Sequence, residues 1–371
     1  MKMLLIGGGG REHAIAWRLA QDRHPPELFC APGNAGTAAC AVNLDLRADD
    51  YDGLLAWAAA ARPDLTVVGP EAPLCAGLAD RFAAAGLRVF GPSQAAAQLE
   101  GSKVFSKDVL QAAGVPTAAA RVFTTAADAL AYVRAQTGSL VVKAEGLAAG
   151  KGVYVCADPA EAERAVNDIM VRQVFGAAGR RVLIEEKLDG EEVSILALVS
   201  GRAAVMLASA QDHKRVFDGD AGPNTGGMGA YSPAPLVTAD LWRRIRAEIF
   251  DPTLAELRRR GIAYQGVLYA GLMIAPSGPR VLEFNCRFGD PETQAILPRL
   301  EGDFAELLMA CAEGRLEEQR LRWRPKACVC VVIAANGYPG AYATGQPIAG
   351  LDEAGRLPGV TVFHAGPEPS N

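Results

Sequence analysis

Over the first hundred residues, short apolar runs alternate with alanine-rich segments, and this alternation constrains the fold more than any other feature. Residues 3–6, 28–31, 65–68 and 87–90 have strand length and composition, while residues 54–61 and 76–85 read as helices. Such alternation predicts a parallel sheet with helices packed on it. The first strand runs into Gly7-Gly8-Gly9-Gly10-Arg11-Glu12-His13, and an Ala/Leu-rich helix continues to Leu19. Later strands end in Pro32-Gly33-Asn34-Ala35-Gly36, Gly69-Pro70-Glu71 and Gly91-Pro92-Ser93. Small-residue loops thus gather at the carboxyl ends of the strands, where open parallel sheets bind small molecules. A dinucleotide fingerprint starting at Gly7 needs glycine or alanine where this chain has Glu12, so that cofactor is disfavoured. The backbone amides of Gly8 to Arg11 still suit a phosphate, with Arg11 adding charge; the alternative is a tight turn and nothing more.

A chain of 371 residues exceeds one ordinary core, so two or three domains are expected. The net charge of -5 and the lack of a long Lys/Arg run argue against a nucleic-acid partner, so an anionic ligand must be held locally. The eight cysteines form no Cys-x-x-Cys pair, and Cys328 and Cys330 sit in the apolar run 327–333, as reduced packing residues would. The N-terminus turns into glycines before a signal-peptide core forms, and no run approaches a membrane span. A cytoplasmic protein without a membrane partner is expected.

The middle of the chain carries groups suited to a nucleoside triphosphate. A helix opens at 102–107 and ends at Gly114-Val115-Pro116, with a domain boundary near residue 100. Residues 140–143 form a strand ending in Lys143, followed by Gly146-Leu147-Ala148-Ala149-Gly150-Lys151-Gly152 and a strand at 153–156. A strand lysine beside a glycine loop with a second lysine can hold and cover a triphosphate. It is not a Walker A loop, because Gly-Lys-Gly leads into a strand; an ordinary hairpin with a solvated lysine is the alternative. After a helix at 159–172, the strand from Val182 ends in acids, turns at Gly190 and returns at 193–199. There Glu186 and Leu188 suit adenine and Glu192 ribose hydroxyls, or they are exposed turn acids. The loop 211–215 and the glycine-rich run 222–231 form a long connection of the kind that is functional or disordered. His213 suits a general base and a phosphate contact equally. Residues 241–260 read as an amphipathic helix with a solvated arginine face. In 281–292 the strand period of two puts Glu283 and Asn285 on one face, with Leu282 and Phe284 buried on the other. Two hard oxygen donors suit Mg²⁺ on a nucleotide, and Arg287 on the same parity suits a phosphate; a solvated strand end is the alternative.

Taken together, Gly9-Gly10-Arg11-Glu12-His13-Ala14, Ala31-Pro32-Gly33-Asn34-Ala35-Gly36, Val68-Gly69-Pro70-Glu71-Ala72-Pro73-Leu74, Lys143 with residues 146–152, and the stretches 211–215, 222–231 and 283–293 resemble the phosphoribosylamine-glycine ligases, an ATP-grasp family of purine synthesis. The motifs span nearly the whole chain in family order. The resemblance implies an α/β fold: a doubly wound parallel-sheet domain at 1–100, an ATP-grasp core at 101–325 with a small lid subdomain at about 115–189, and a C-terminal domain at 326–371 that reads as incomplete. It implies that the glycine carboxylate attacks the γ-phosphate of ATP and that 5-phosphoribosylamine captures the glycyl phosphate. By the same resemblance Lys103, Lys143 and Lys151 contact ATP phosphates, Glu186, Leu188 and Glu192 the nucleoside, and Glu283 and Asn285 hold Mg²⁺ or Mn²⁺. Arg287 faces the transferring phosphoryl group, Gly9, Gly10, Arg11, Asn34, Gly36 and Glu71 line the phosphoribosylamine side, and Asp212 and Gly227 shape the acceptor pocket. A monomer is implied.

The sequence departs from the family pattern where Gly8 replaces a frequent asparagine and where Gly271 stands at the position of a third acidic metal ligand. The chemistry of the residues agrees with the resemblance. Carboxylate attack on a phosphoryl group needs charge neutralisation, alignment and exclusion of water, not a protein nucleophile. Another ATP-grasp ligase, such as a carboxylase, and a nucleotide-binding module without turnover are the competing readings.

Overall fold

The computed structural model describes residues 1–148, 151–316 and 321–366. Strands β1 (Lys2–Gly7), β2 (Glu27–Pro32), β3 (Val42–Asn43), β4 (Leu65–Val68) and β5 (Val89–Phe90) form a parallel sheet in the order β3-β2-β1-β4-β5. Met3, Leu4, Leu5 and Ile6 have no exposed surface, because helices or other layers cover both faces of a parallel sheet. This is why the strand reads as a continuous apolar run. The helix expected at 76–85 is instead two, Glu71–Cys75 and Leu78–Ala84, separated by Gly77 at φ +84°. That division makes Glu71 the first residue of a helix rather than a loop residue.

The chain next builds β6 (Ala120–Phe123), β7 (Leu140–Ala144), β8 (Val153–Cys156) and β9 (Val182–Glu186), an antiparallel sheet in the order β6-β9-β7-β8. Its core, including Val133, Val142, Val166, Ile169 and Ile184, is its own. The loop between β7 and β8 carries the two lysine-flanking glycines, of which Gly150, with Ala149, lies outside the described residues.

Strands β10 (Glu191–Ser200) and β11 (Ala203–Met206) follow. The connection read as a glycine-rich loop in fact contains β12 (Gln211–Asp212), β13 (Arg215–Phe217), β14 (Ala221–Asn224) and β15 (Gly229–Ser232). β16 (Gln265–Ala275) and β17 (Gly278–Asn285) complete a sheet in the order β11-β10-β16-β17. β18 (Leu300–Glu301) pairs with β19 (Arg322–Trp323), and β20 (Cys328–Val331) pairs with β15. Most of these short strands were not legible because their partners lie far along the chain; β13 and β14 pair locally but are too short to read as apolar runs. The N-terminal and central sheets share cores: Leu4, Ile6 and Phe82 pack in one cluster with Ile195, Leu268 and Phe284. Met3, Leu5 and Ile15 pack in another with Leu196, Tyr269 and Phe304.

The expected alternation in β17 fails at one residue. Gly271 pairs with Glu283 but Leu272 pairs with Val281, so Leu282 is the extra residue of a β-bulge. Val281 therefore joins Phe284 in the core, and Leu282 packs against Ala118, Leu188 and Met273. Among the described residues no helix is long and apolar enough to cross a membrane.

Candidate active site

A cleft of about 2660 Å³ opens between the lid sheet, the central sheet and the N-terminal loops. Its walls bring together Gly10, Glu71, Lys103, Lys143, Glu186, Leu188, Glu192, Asp212, Gly227, Glu283, Asn285 and Arg287. Ligand pockets of roughly 300–1,000 Å³ hold one small molecule, so this volume accommodates a nucleotide and further substrates together. Gly9, Arg11, Asn34, Gly36 and Lys151 are not among its lining residues.

At one end, Ala118, Leu188 and Met273 with Leu282 form an apolar patch suited to a flat base. The bulge is what turns Leu282 into it. Beside the patch the Glu186 carboxylate accepts from the Ala119 N–H at 2.9 Å and from Arg280 at 2.9 Å, which fixes the strand end. Glu192 is half-exposed and lies 3.3 Å from Lys214.

The centre of the cleft is cationic. Lys143 lies 2.7 Å from Glu185 and donates to the Leu282 carbonyl at 3.0 Å; Lys107 lies 2.6 Å from the same carboxylate. Glu185 thus orients two lysines in a buried triad, and neither it nor Lys107 was singled out from the sequence. Strand parity was the available signal, since Glu185 must point opposite to Glu186. Lys103 donates to the Gly146 carbonyl at 3.2 Å, and burial pulls its pKa down, with Glu283 opposing. Lys151 points away from this cluster and donates to the Pro339 carbonyl at 3.0 Å.

Glu283 faces this positive field. Burial opposes its charge, but Lys214 at 3.6 Å, Lys143, Lys103 and Arg287 outweigh burial and hold its pKa below the usual carboxylate range. Two residues on, Asn285 Oδ1 accepts from Arg287 at 3.3 Å. Arg287 is further clamped by Glu71 at 3.2 Å and Glu100 at 3.0 Å, which raise its pKa against the effect of burial. Among the described residues no three His, Cys, Asp or Glu side chains converge as a metal site. An ionised carboxylate and an amide oxygen along one strand do fit Mg²⁺, which takes few protein ligands and completes its shell with phosphate oxygens and water. Gly271 sits directly opposite Glu283 and supplies no third carboxylate.

At the far end the N-terminal loops hold one another. Asn34 Nδ2 donates to the Gly8 carbonyl at 2.9 Å and the His364 carbonyl at 2.8 Å, while its Oδ1 accepts from Gly36 N–H at 2.8 Å. Asn34 is therefore a loop staple. A Cβ on Gly8 would lie 2.4 Å from the Gly33 carbonyl oxygen, so the close approach of the two loops fits glycine and disfavours asparagine. Arg11, expected to offer charge to a phosphate, is buried in an ion pair with Glu12 at 2.7 Å and donates to the Phe288 carbonyl at 3.0 Å. Asp212 sits between the two ends with a buried Oδ1 that has no hydrogen-bond partner. Burial, then the nearby Glu292, push its pKa up to about 8, with Lys214 pulling the other way.

Comparisons with known proteins agree along the whole chain. Residues 1–100, 101–293 and 328–371 match the N domain, the ATP-grasp (A) domain and the C domain of phosphoribosylglycinamide synthetase. The phosphoribosylamine-glycine ligase of Vibrio cholerae is 52% identical over 371 residues, covering 99% of this chain and 86% of that protein. That of Xanthomonas axonopodis is 54% identical over 369 residues, covering 99% and 85%. Among solved structures, the phosphoribosylamine-glycine ligase of Thermotoga maritima aligns with a TM-score of 0.80 at 34% identity, covering 92% of this chain and 83% of that one. Biotin carboxylase from Campylobacter jejuni shares the fold at a TM-score of 0.65 and 16% identity, covering 84% and 71%.

The antiparallel β6–β9 sheet facing a cationic cleft on an antiparallel central sheet, with a matching A domain, defines an ATP-grasp enzyme. The lysine pair on Glu185 and the Glu283/Asn285 strand end line one part of this cleft, and Gly10 and Glu71 of the N-terminal domain line another. The chain belongs to the phosphoribosylamine-glycine ligase family, ligases of purine biosynthesis that use ATP to join glycine to phosphoribosylamine.

Proposed function

We propose that this cleft runs the reaction in two stages at one centre, with the residues in the following roles. Adenine lies on Leu188, Met273 and Leu282, the strand end at Glu186 meets its edge, and Glu192 takes the ribose hydroxyls. Lys103 and Lys143 neutralise the phosphates, and Lys151 joins them on leaving its contact with the Pro339 carbonyl. Glu283 and Asn285 hold Mg²⁺, which supplies charge neutralisation on the phosphate oxygens. Arg287, held rigid by Glu71 and Glu100, aligns the transferring phosphoryl group for attack by the glycine carboxylate.

The mixed anhydride, glycyl phosphate, is then captured by the amine of 5-phosphoribosylamine. Asp212 and Gly227 wall the pocket where donor and acceptor meet, Gly10 and Glu71 at two helix starts line the acceptor side, and Gly9, Arg11, Asn34 and Gly36 support it from behind. Lid closure excludes water from the anhydride. Catalysis by a monomer in the cytoplasm fits this reading. The observation that carries it is Glu283, kept ionised among Lys103, Lys143, Lys214 and Arg287 at the end of β17. Positional isotope exchange in ATP that requires glycine tests the acyl-phosphate stage; exchange without glycine would overturn it.

A further inference from the structure

Among the described residues four buried side-chain atoms without a hydrogen-bond partner belong to residues lining the cleft; Glu185 Oε1 is ion-paired with Lys107, and the others are Asp212 Oδ1, Gln294 Oε1 and His364 Nδ1. An unpartnered buried acceptor costs about 1–3 kcal/mol, so its persistence asks for a ligand. The last two gather at the acceptor end, beyond the residues assigned above. Gln294 is only 5% exposed, and its Nε2 donates to Asp290 Oδ1 at 2.6 Å. That bond fixes the amide orientation and leaves Oε1 as an unused acceptor. Asp290 Oδ2 meanwhile accepts from the Arg11 N–H at 3.3 Å, tying this group to the first turn of the helix Gly10–Leu19. His364 comes from the C-terminal segment. Its backbone is pinned at both polar atoms, the N–H donating to His13 Nδ1 at 2.9 Å and the carbonyl accepting from Asn34 at 2.8 Å. The imidazole is thereby held at the same rim as Gly10 and Ala365.

We propose that Gln294 and His364 form the seat for the ribose hydroxyls of the sugar-phosphate acceptor, so that the C-terminal segment supplies a specificity-determining side chain. The chemistry is complementary: two buried acceptors lack donors, and a ribosyl ring presents vicinal hydroxyls. An added Cβ at Gly10 would stand 2.8 Å from Gln294 Nε2 and 3.4 Å from the Ala365 Cβ, so glycine at the helix start is what lets the Gln294 amide and the C-terminal segment approach the same rim. A site built to pair a hydroxyl rejects the analogue that lacks it, because its own polar groups are left unpaired.

This assignment rests on the ligase reading. The test is competitive inhibition of the full-length enzyme by ribose 5-phosphate and 2-deoxyribose 5-phosphate, with Gln294→Met and His364→Phe beside the wild type. Wild type is expected to bind the ribose compound about 10-fold or more tightly than the deoxy compound, and each variant to lose most of that preference. The KM values for ATP and glycine stay within about twofold. Equal inhibition by the two sugars in the wild type, or an unchanged preference in both variants, would overturn the seat. If a variant melts early, His364→Asn provides the measurement, because the pinning bonds of residue 364 are made by its backbone. Failure of the ligase reading looks different: no glycine-dependent phosphate release in the wild type at all.

Discussion

Glu283 carries the account at the scale of single residues. Glu283→Ala is expected to lower kcat by at least about 100-fold, the size of loss seen when one preorganised charge contact is removed. Its melting temperature should stay within about 4 °C of the wild type, since a half-exposed strand end contributes little packing. Near-normal turnover at saturating Mg-ATP would contradict the metal assignment. Asp212 yields a pH prediction. Its folded pKa of about 8 lies above the ordinary carboxylate value, so the fold favours the protonated form. The wild type therefore loses stability as pH rises from about 4 towards 8. Asp212→Asn removes that loss: the ligand-free variant should be more stable than wild type by about 1–3 kcal/mol at pH 8.5 and equal to it near pH 4 in urea titrations. The i, i+2, i+4 spacing of Glu283, Asn285 and Arg287 was readable because strand parity is local. Leu282 was misread because its bulge depends on the partner strand at Gly271 and Leu272. The burial of Arg11 against Glu12 was not legible, because its second partner, the Phe288 carbonyl, comes from far along the chain.

At the scale of elements, the β6–β9 sheet is fastened to the helix Lys103–Ala112 and to β17 through the triad Lys107–Glu185–Lys143. Glu185→Gln strands two buried ammonium groups, which costs about 3–5 kcal/mol and weakens Mg-ATP binding; chemical denaturation and nucleotide titration read the two effects. Retained stability and affinity would mean that the lysines find other partners. The C-terminal segment docks through His13, whose pKa burial and His364 together lower to about 4. Neutral His13 accepts the His364 N–H, so the dock contributes stability that is present above pH 6.5 and lost as pH falls towards 4. Hydrogen exchange at the His364 amide should accelerate over that window ahead of the amides of β1. Strands β1, β2, β4, β5, β7, β8 and β9 were legible as apolar runs, whereas β3 (Val42–Asn43) and β6 (Ala120–Phe123) were not. The short strands β12 and β15 were not legible either, because pairings such as Asp212 with Ala230 and Tyr231 with Val329 join segments distant in sequence; β13 and β14 form a local hairpin too short to read as apolar runs.

For the whole molecule, the order of domains followed from the alternation of strand and helix in the first hundred residues and from the ordered motifs after them. The sharing of cores between the N-terminal and central sheets was not legible, since either sheet face alone reads as buried. The β6–β9 sheet has its own core and can open independently, so nucleotide binding is expected to slow exchange in β7 and β8 while leaving β1 and β4 unchanged. The central claim is that one cleft couples ATP cleavage to the joining of glycine and 5-phosphoribosylamine. Phosphate release from Mg-ATP by the purified protein, measured with each substrate alone and with both, tests it most directly. The account predicts sustained release only when both are present, with one glycinamide ribonucleotide formed per phosphate. Sustained release with bicarbonate in place of glycine, or none with both substrates, would contradict it.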